Sequence, residues 1–477
     1  MTDPASSPQS SPTVHRGRLL AVLLAPLFMA LVSISVLNVG LTAIGESLHA
    51  SSTGLQWAIS GYTLAFGVLL VPAGRLGDAT GRRRIFVLGI AAFTVGSLIS
   101  GLALNIETLN LARVLQGLGS GLLNPQTIGL IQQHFRGQRR AHAFASLGTT
   151  VAVATAIGPV IGGFLIQTLG PDVGWRWMFL MNIPIGVFSI VFALRWIPDD
   201  RLRSDRRADL DPIGTGLLTL AILAIMFPFL ERSAGPLVWL GVPAGFGILL
   251  VWWVWEDSVK RRGRQPMVDP AIFSNAGFRN GIIIVATYFL GATSIWIIVP
   301  LYLQMHLEYT AFQAALIGIP SSIAAAISSQ LGGRFVLRLG RRLVTAGFAT
   351  SFVGIGVVAI LAGFVEREQI PFWVLAIPLT LVGTSQGMTI SPNQTLTLNS
   401  VDPRFGGVAG GILSLGQRMG AAVGTALIPG IVFSLTENGG SWLEAFTIAL
   451  AVIMALTLAA MAVSIRDRQR EKAGVEM

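Results

Sequence analysis

Apolar residues in this chain come in long runs rather than in alternation with polar ones. From Leu19 to Ile465 the runs follow one another with only short polar interruptions. A helix needs ~20 such residues to cross a bilayer. Fourteen runs reach that length: 19–44, 54–73, 84–104, 109–133, 143–169, 177–197, 211–230, 236–255, 280–304, 311–332, 343–364, 371–398, 407–435 and 442–465. Strands of a membrane barrel would alternate inward polar and outward apolar positions, and these segments do not. The pattern predicts an all-α polytopic membrane protein.

The polar interruptions carry a sign. Taken alternately, one set holds Arg75, Arg82 to Arg84, Arg136, Arg139, Arg140, a basic linker at 195–207, "KRRGR" at 260–264, Arg279, Arg334, Arg338, Arg341, Arg342 and Arg404. The other set holds only Arg176, Arg232 and Arg367. Basic loops stay cytoplasmic, so both termini are expected in the cytoplasm and the number of spans is even. The Ser- and Pro-rich residues 1–18 read as a disordered tail, and 466–477 as a second, basic tail. The run that begins at 19 is too long for a signal-peptide core, so it is expected to be a retained first helix.

A repeat divides the chain. "GRLGDATGRRR" at Gly74–Arg84 returns, worn, as "GRFVLRLGRR" at Gly333–Arg342, each at the basic end of a helical hairpin. Gly383 and Gly387 echo Gly117 and Gly121. "GQRMGAAVGTALIPG" echoes the glycine-rich "AVATAIGPVIGG". The expected organisation is a six-helix bundle at 19–197, a linker with two accessory helices at 198–279, and a second six-helix bundle at 280–465. Parallel repeats of this kind are a transporter device, with the substrate held between the halves.

Composition narrows the function. Of 477 residues 52% are hydrophobic and 12% charged, the net charge is +10, and cysteine is absent. In a membrane protein that charge belongs to loops that set orientation, so no nucleic-acid partner is expected. Without cysteine there is no disulfide or thiolate site. The five histidines form no ligand spacing, so neither a metal site nor a cofactor is expected. The lysines are Lys260 and Lys472, and neither lies in a phosphate-cradling Gly-Lys-Ser/Thr loop, which argues against an ATP-driven pump. The acidic stretches at 198–200 and 209–211 sit among arginines and read as solvated charge rather than as an enzyme's cluster.

In the elbow at 74–84, Gly74, Gly77 and Gly81 permit a tight turn, and Asp78 sits four residues before Arg82. Such a cluster either latches two bundles or merely fixes topology. The stretch resembles the loop 2–3 signature of the major facilitator superfamily. Arg113-Val114-Leu115-Gln116-Gly117 resembles its fourth-helix signature. "GPVIGG", with Gly158 and Pro159, resembles the fifth-helix signature of its antiporters. "GWRWMFLMNIPIG" and "DPIG" resemble its fourteen-helix drug:proton antiporter branch. The resemblance implies a monomeric, multi-pass transporter in the cytoplasmic membrane. It would export amphiphilic small molecules (drugs, lipids or related metabolites) by rocker-switch alternating access and would not be an enzyme. Protons and membrane lipids are its other implied partners.

Gating and coupling roles are expected of Asp78, Arg82, Arg113, Gly158, Pro159 and Arg418. Arg113 and Arg418 lie inside spans, where a charge is costly unless it faces a cavity or a partner. Polar and aromatic residues on the presumed cavity helices are the substrate candidates: Asn38, Trp57, Tyr62, Asn124, Gln126, Trp296, Gln386, Asn393 and Gln394. Taken singly, each can equally well bond one helix to another. Trp252, Trp253 and Trp255 read as an interfacial belt.

One departure stands out. The antiporter branch places an acid in its first helix. Aligning "VSISVLNVGLT" on Asn38 puts Ser33 there, and no Asp or Glu falls at the middle of any predicted span. Coupling through a central carboxylate is thereby in doubt, and a cavity lined by arginine favours neutral or anionic amphiphiles over cations. The alternative reading is a uniporter or exporter of such a metabolite or lipid without conventional proton antiport.

Overall fold

A bilayer offers backbone groups no water to bond, so each spanning segment must satisfy its own amides and carbonyls as a helix. The computed structural model describes residues 16–198, 211–231 and 235–475, and regular structure there is helical throughout. The first bundle contains α1 (Arg16–Ser47), α2 (Ser52–Thr80), α3 (Arg82–Gly101), α4 (Ile106–His134), α5 (Gly137–Leu169), and a sixth span broken at Met181 into α6 (Pro171–Leu180) and α7 (Asn182–Trp196). The accessory pair is α8 (Pro212–Leu230) and α9 (Gly241–Arg261).

The second bundle starts with α10 (Ala276–Ala292) and α11 (Ile295–Leu301), which lead into a π-helical turn at Tyr302–His306. Then come α12 (Ala311–Leu316), α13 (Gly318–Leu339), α14 (Arg341–Glu366), α15 (Ala376–Asn399), α16 (Gly406–Glu437) and α17 (Trp442–Val475). Side chains at the turns close the helix starts. Ser51 accepts from the Gly54 amide at 3.1 Å, Asn105 from Thr108 at 2.8 Å, and Asn275 from Phe278 at 3.1 Å.

Thirteen of the described segments are long and apolar enough to cross a membrane. The fourteenth expected span, α4, has 29 residues but carries Arg113, Gln116, Asn124, Gln126, Gln132 and Gln133, which lower its hydropathy. It survives as a spanning helix because most of that polarity faces protein. Arg113, Gln116, Gln126 and Gln132 are all buried.

The ends differ from expectation. Arg16, Gly17 and Arg18 belong to α1, and residues 1–15 lie outside the described residues. The C-terminal segment from Arg466 is the continuation of α17, and Asp467 within it is buried. Most of the linker between the first bundle and α8 lies outside the described residues, but Asp211 is buried rather than solvated. It caps α8 by accepting from the Gly214 amide at 3.0 Å. Trp255 donates its indole N–H to the same carboxylate and Trp252 is buried, so only the half-exposed Trp253 suits an interfacial belt.

The two bundles repeat each other in packing as well as in order. α2 lies against α4 and α13 against α15. A Cβ on Gly117 would meet the Tyr62 carbonyl oxygen at 2.4 Å, and one on Gly383 the Ser321 carbonyl oxygen at 2.1 Å. Both elbows turn on glycine in the left-handed region, Gly81 at φ 110° and Gly340 at φ 55°, where a side chain would be strained.

Candidate functional site

The site is built where α2 meets α16 and where α5 meets α13, each pair taking one helix from each bundle. At the first contact the α2–α3 elbow reaches the start of α16. The Asp78 carboxylate accepts the backbone N–H of Gly407 at 3.0 Å and of Val408 at 2.9 Å. Those amides are among the orphan donors of a helix start, where the dipole also favours negative charge.

Arg82 holds the carboxylate from the other side, with Nε and Nη2 at 2.8 and 2.7 Å from Oδ1. Its Nη2 also donates across the bundles to the carbonyls of Pro403 and Arg404 at 2.7 and 3.2 Å. Its Nη1 donates within its own bundle to the Gly129 carbonyl at 2.7 Å. Gly74 lets the helices touch, since a Cβ there would fall 2.3 Å from the Gly407 carbonyl oxygen.

The second copy of the elbow is rewired. Leu337 stands where Asp78 stands in the first copy, and Arg341 pairs instead with Asp467 of α17 at 2.6 Å. Arg341 also bonds the Asn393 side chain of α15 and donates to the Gly277 carbonyl at 3.2 Å. These partners are all in the second bundle. Cross-bundle contact on this side passes through the helix faces. Ser329 donates to the Ala145 carbonyl at 2.9 Å, Gln330 to the Thr149 hydroxyl at 2.9 Å, and Gln138 to the Gly333 carbonyl at 2.7 Å. The bonds joining the bundles thus gather in the arginine-rich half of the molecule.

Farther from the elbows, the two intramembrane arginines are linked by aromatic rings on α2. Arg113 is 1% exposed, so it does not snorkel. It donates to the Ala58 carbonyl at 2.9 Å, to Gln116 Oε1 at 2.8 Å and, at 3.5 Å, to Ser33 Oγ. Ser33, the residue at the branch's acidic position, therefore does face Arg113. The guanidinium carbon lies 4.4 Å from the Tyr62 ring, and Tyr62 bonds Ser120 at 2.6 Å. Phe66, one turn on, sits 6.0 Å from Tyr62 ring to ring, and Arg418 of α16 lies 4.4 Å from the Phe66 ring. This ladder of two guanidinium groups and two rings crosses the bundle interface. Sequence spacing could have suggested only that Tyr62 and Phe66 share a face of α2.

The other expected residues divide. Asn124 lies at the interface and accepts from Ser414 of α16 at 3.0 Å. Asn38 is exposed, and Trp296 and Gln386 are half-buried. Gln126 is fully buried between α2 and α4 and donates to the Ala73 carbonyl at 2.7 Å, so it ties two helices of one bundle and does not face the passage. Asn393 likewise is spent on Arg341 and on the Gly281 carbonyl at 3.0 Å. Gln394 is buried, at 4% exposure. The Trp57 ring packs 6.3 Å from Phe227 of the accessory helix α8. Gly158 seats α5 on α1, where an added Cβ would fall 1.8 Å from Ser35 Oγ, with Pro159 beside it inside α5. A cleft of ≈ 610 Å³ lies outside the passage, between the accessory pair and the second bundle, lined by residues such as Phe229, Trp239 and Leu427.

Comparison with known proteins agrees with this geometry. The Major Facilitator Superfamily model matches residues 23–425 and 281–476. The chain is 31% identical over 428 residues to the "Probable actinorhodin transporter" of Streptomyces coelicolor, covering 89% of this chain and 74% of that protein. It is 28% identical over 445 residues to multidrug resistance protein Stp of Mycobacterium tuberculosis, covering 91% and 78%. Among solved structures, the human organic anion transporter MFSD10 superposes with a TM-score of 0.68 at 13% identity, covering 94% of this chain and 99% of that one, a likeness of fold alone. With the matching model, the paired six-helix bundles and the clasping elbow in place, the chain belongs to the Major Facilitator Superfamily, a family of multi-pass membrane transporters.

Proposed function

We propose that this protein exports amphiphilic small molecules across the cytoplasmic membrane by alternating access, with the elbow of Asp78 and Arg82 as the clasp of its inner gate. The observation that carries the reading is the Asp78 carboxylate bonded to two amides at the start of α16 while Arg82 bonds the carbonyls just before it. One elbow of the first bundle thus holds both ends of a turn in the second. With the arginine-rich side as the cytoplasmic side, the contacts close the inner end and leave the passage facing out. Releasing the clasp and the α5–α13 contact lets the bundles rock to the inward-facing state. A relative named drug efflux pump JefA, of Mycobacterium tuberculosis, supports the outward direction of transport.

Proton linkage is the usual coupling of the branch that the sequence resembles. One observation favours a second reading, export of a neutral or anionic compound without conventional proton antiport. Ser33 rather than an acid faces Arg113. The test is transport into inside-out vesicles with and without an imposed pH gradient, comparing wild type with Asp78→Asn. The amide loses its charge and one of its two acceptor oxygens. Transport should fall at least about tenfold, the equivalent of ~1.4 kcal/mol at the gate, with little change in melting temperature. Undiminished transport by Asp78→Asn removes the clasp, and transport unaffected by the gradient selects the second reading.

A further inference from the structure

Arg418 lacks the polar partners that the other arginines set within the bundle packing have. Arg82 has Asp78, Arg341 has Asp467, Arg113 has three oxygen acceptors, and Arg75 donates to Gln265 at 3.1 Å. Arg418 makes no hydrogen bond or ion pair with any described residue. Its guanidinium lies over the face of Phe66, 4.4 Å away on the opposite bundle, with Tyr62 one turn along the same helix. It stands on α16 about 18 Å along the helix from Gly406, taking ~1.5 Å per residue, which is near mid-membrane. It is half-buried, and its unpartnered side-chain nitrogens are not fully enclosed.

Among the described residues, no acid is placed to neutralise it. On the described bundle helices, Glu46, Asp78, Glu107, Asp172, Glu366, Glu437 and Glu444 lie in terminal turns, and Asp467 and Glu471 lie on the arginine-rich extension of α17, where Asp467 is committed to Arg341. A charge at this depth is costly without a counter-ion, and an unpaired guanidinium attracts an anion strongly where water is scarce.

One turn toward the gate on the same helix, Ser414 donates to Asn124 Oδ1. That bond orients the amide and leaves the Asn124 nitrogen free to donate. We infer that Arg418, with Asn124 beside it and Phe66 opposite, is the subsite that receives the anionic group of an amphiphilic organic anion, such as a carboxylate, phenolate or sulfonate. The guanidinium, backed on one face by Phe66, takes two anion oxygens at its free edge, and the amide supplies a further donor. Because Arg418 and Asn124 belong to different bundles, an anion held by both joins the two halves during the rocking movement. The assignment rests on the transport reading above and adds the charge of the substrate to it.

Two probes share one ring system and differ in charge: 8-anilinonaphthalene-1-sulfonate and the uncharged N-phenyl-1-naphthylamine. Binding of each to the full chain in lipid nanodiscs is followed by fluorescence, against empty nanodiscs as background. Wild type should prefer the sulfonate by about tenfold or more, and Arg418→Gln should lose that preference while binding the neutral probe within about twofold of wild type. Arg418→Lys should keep most of it, which guards against a folding defect in the glutamine variant. Equal affinity of wild type for both probes, binding of neither, or retention of the preference in Arg418→Gln overturns the assignment. Vesicle transport of the same probes separates this from the wider reading. Selective binding without any transport defeats export but not the anion subsite, and transport of the neutral probe alone defeats the subsite but not export.

Discussion

At the scale of single residues, the fate of a buried charge depends on which partner is nearest. Arg113 sits in the first bundle with its strongest side-chain contact to Gln116 at 2.8 Å and a longer one to Ser33 at 3.5 Å. Gln116 in turn donates to Ser97 at 2.6 Å. Removing one member of such a network costs the desolvation of what it leaves behind. Gln116→Leu should therefore destabilise the protein by about 2 kcal/mol, the cost of stripping a charged donor of an acceptor and leaving the Ser97 hydroxyl only its longer bond from Asn182. Ser33→Ala, which loses only the long contact, should stay within about 0.5 kcal/mol. Thermal unfolding in micelles, followed by tryptophan fluorescence, distinguishes the two. Equal losses would show that Ser33 is as firmly bound to Arg113 as Gln116 is.

Among the helices, glycine does different things in one motif. Gly158 and Gly162 seat α5 against α1, with an added Cβ falling 1.8 Å from Ser35 Oγ and 2.9 Å from Val36 Cγ2, while Gly163 faces open space. Gly163→Ala should leave transport within about twofold of wild type and favour the helix by up to ~1 kcal/mol. Gly74 and Gly333, at matching places in the two halves, are cross-bundle contacts. Added Cβ atoms would lie 2.3 Å from the Gly407 carbonyl oxygen and 2.3 Å from the Ala145 Cβ. Gly74→Val or Gly333→Val should hold the inner gate apart and raise the reactivity of a cysteine placed at Ser414 toward a membrane-impermeant thiol reagent applied from the inside. If valine at either position left that reactivity unchanged, the helices would not meet there in the working cycle.

For the whole molecule, the distribution of bonds between the bundles defines a conformational state. Contacts at Asp78, Arg82, Ser329 and Gln330 close one end. The chain has no native cysteine, so a single engineered pair can be read without background. Thr149→Cys with Gln330→Cys, joined by a short bifunctional thiol reagent, should stop turnover, and cleavage of a reducible linker should restore it. Continued transport in the joined protein would mean that the bundles do not separate along α5 and α13.

Much of the architecture was already present in the one-dimensional pattern. Hydrophobic run length set the number of spans, because a bilayer has a thickness and a helix a rise per residue. Arginine placement points to an orientation, and the offset between the two elbows marks the duplication. The elbow's Asp78 and Arg82 could be singled out because they are close neighbours in sequence on adjoining helical turns. The rest depends on pairs far apart in the chain. Nothing in the sequence distinguishes Gln126 and Asn393, which bond helices within a bundle, from Asn124, which faces the opposite one. A polar residue has the same side chain whichever way its helix is rotated. Nor does local sequence say that Asp467 meets Arg341, or that Arg418 lies on Phe66 without a carboxylate in reach. Those relations follow from how the helices are rotated and crossed, which is settled by packing across the whole protein, and the charge balance of the passage is decided there.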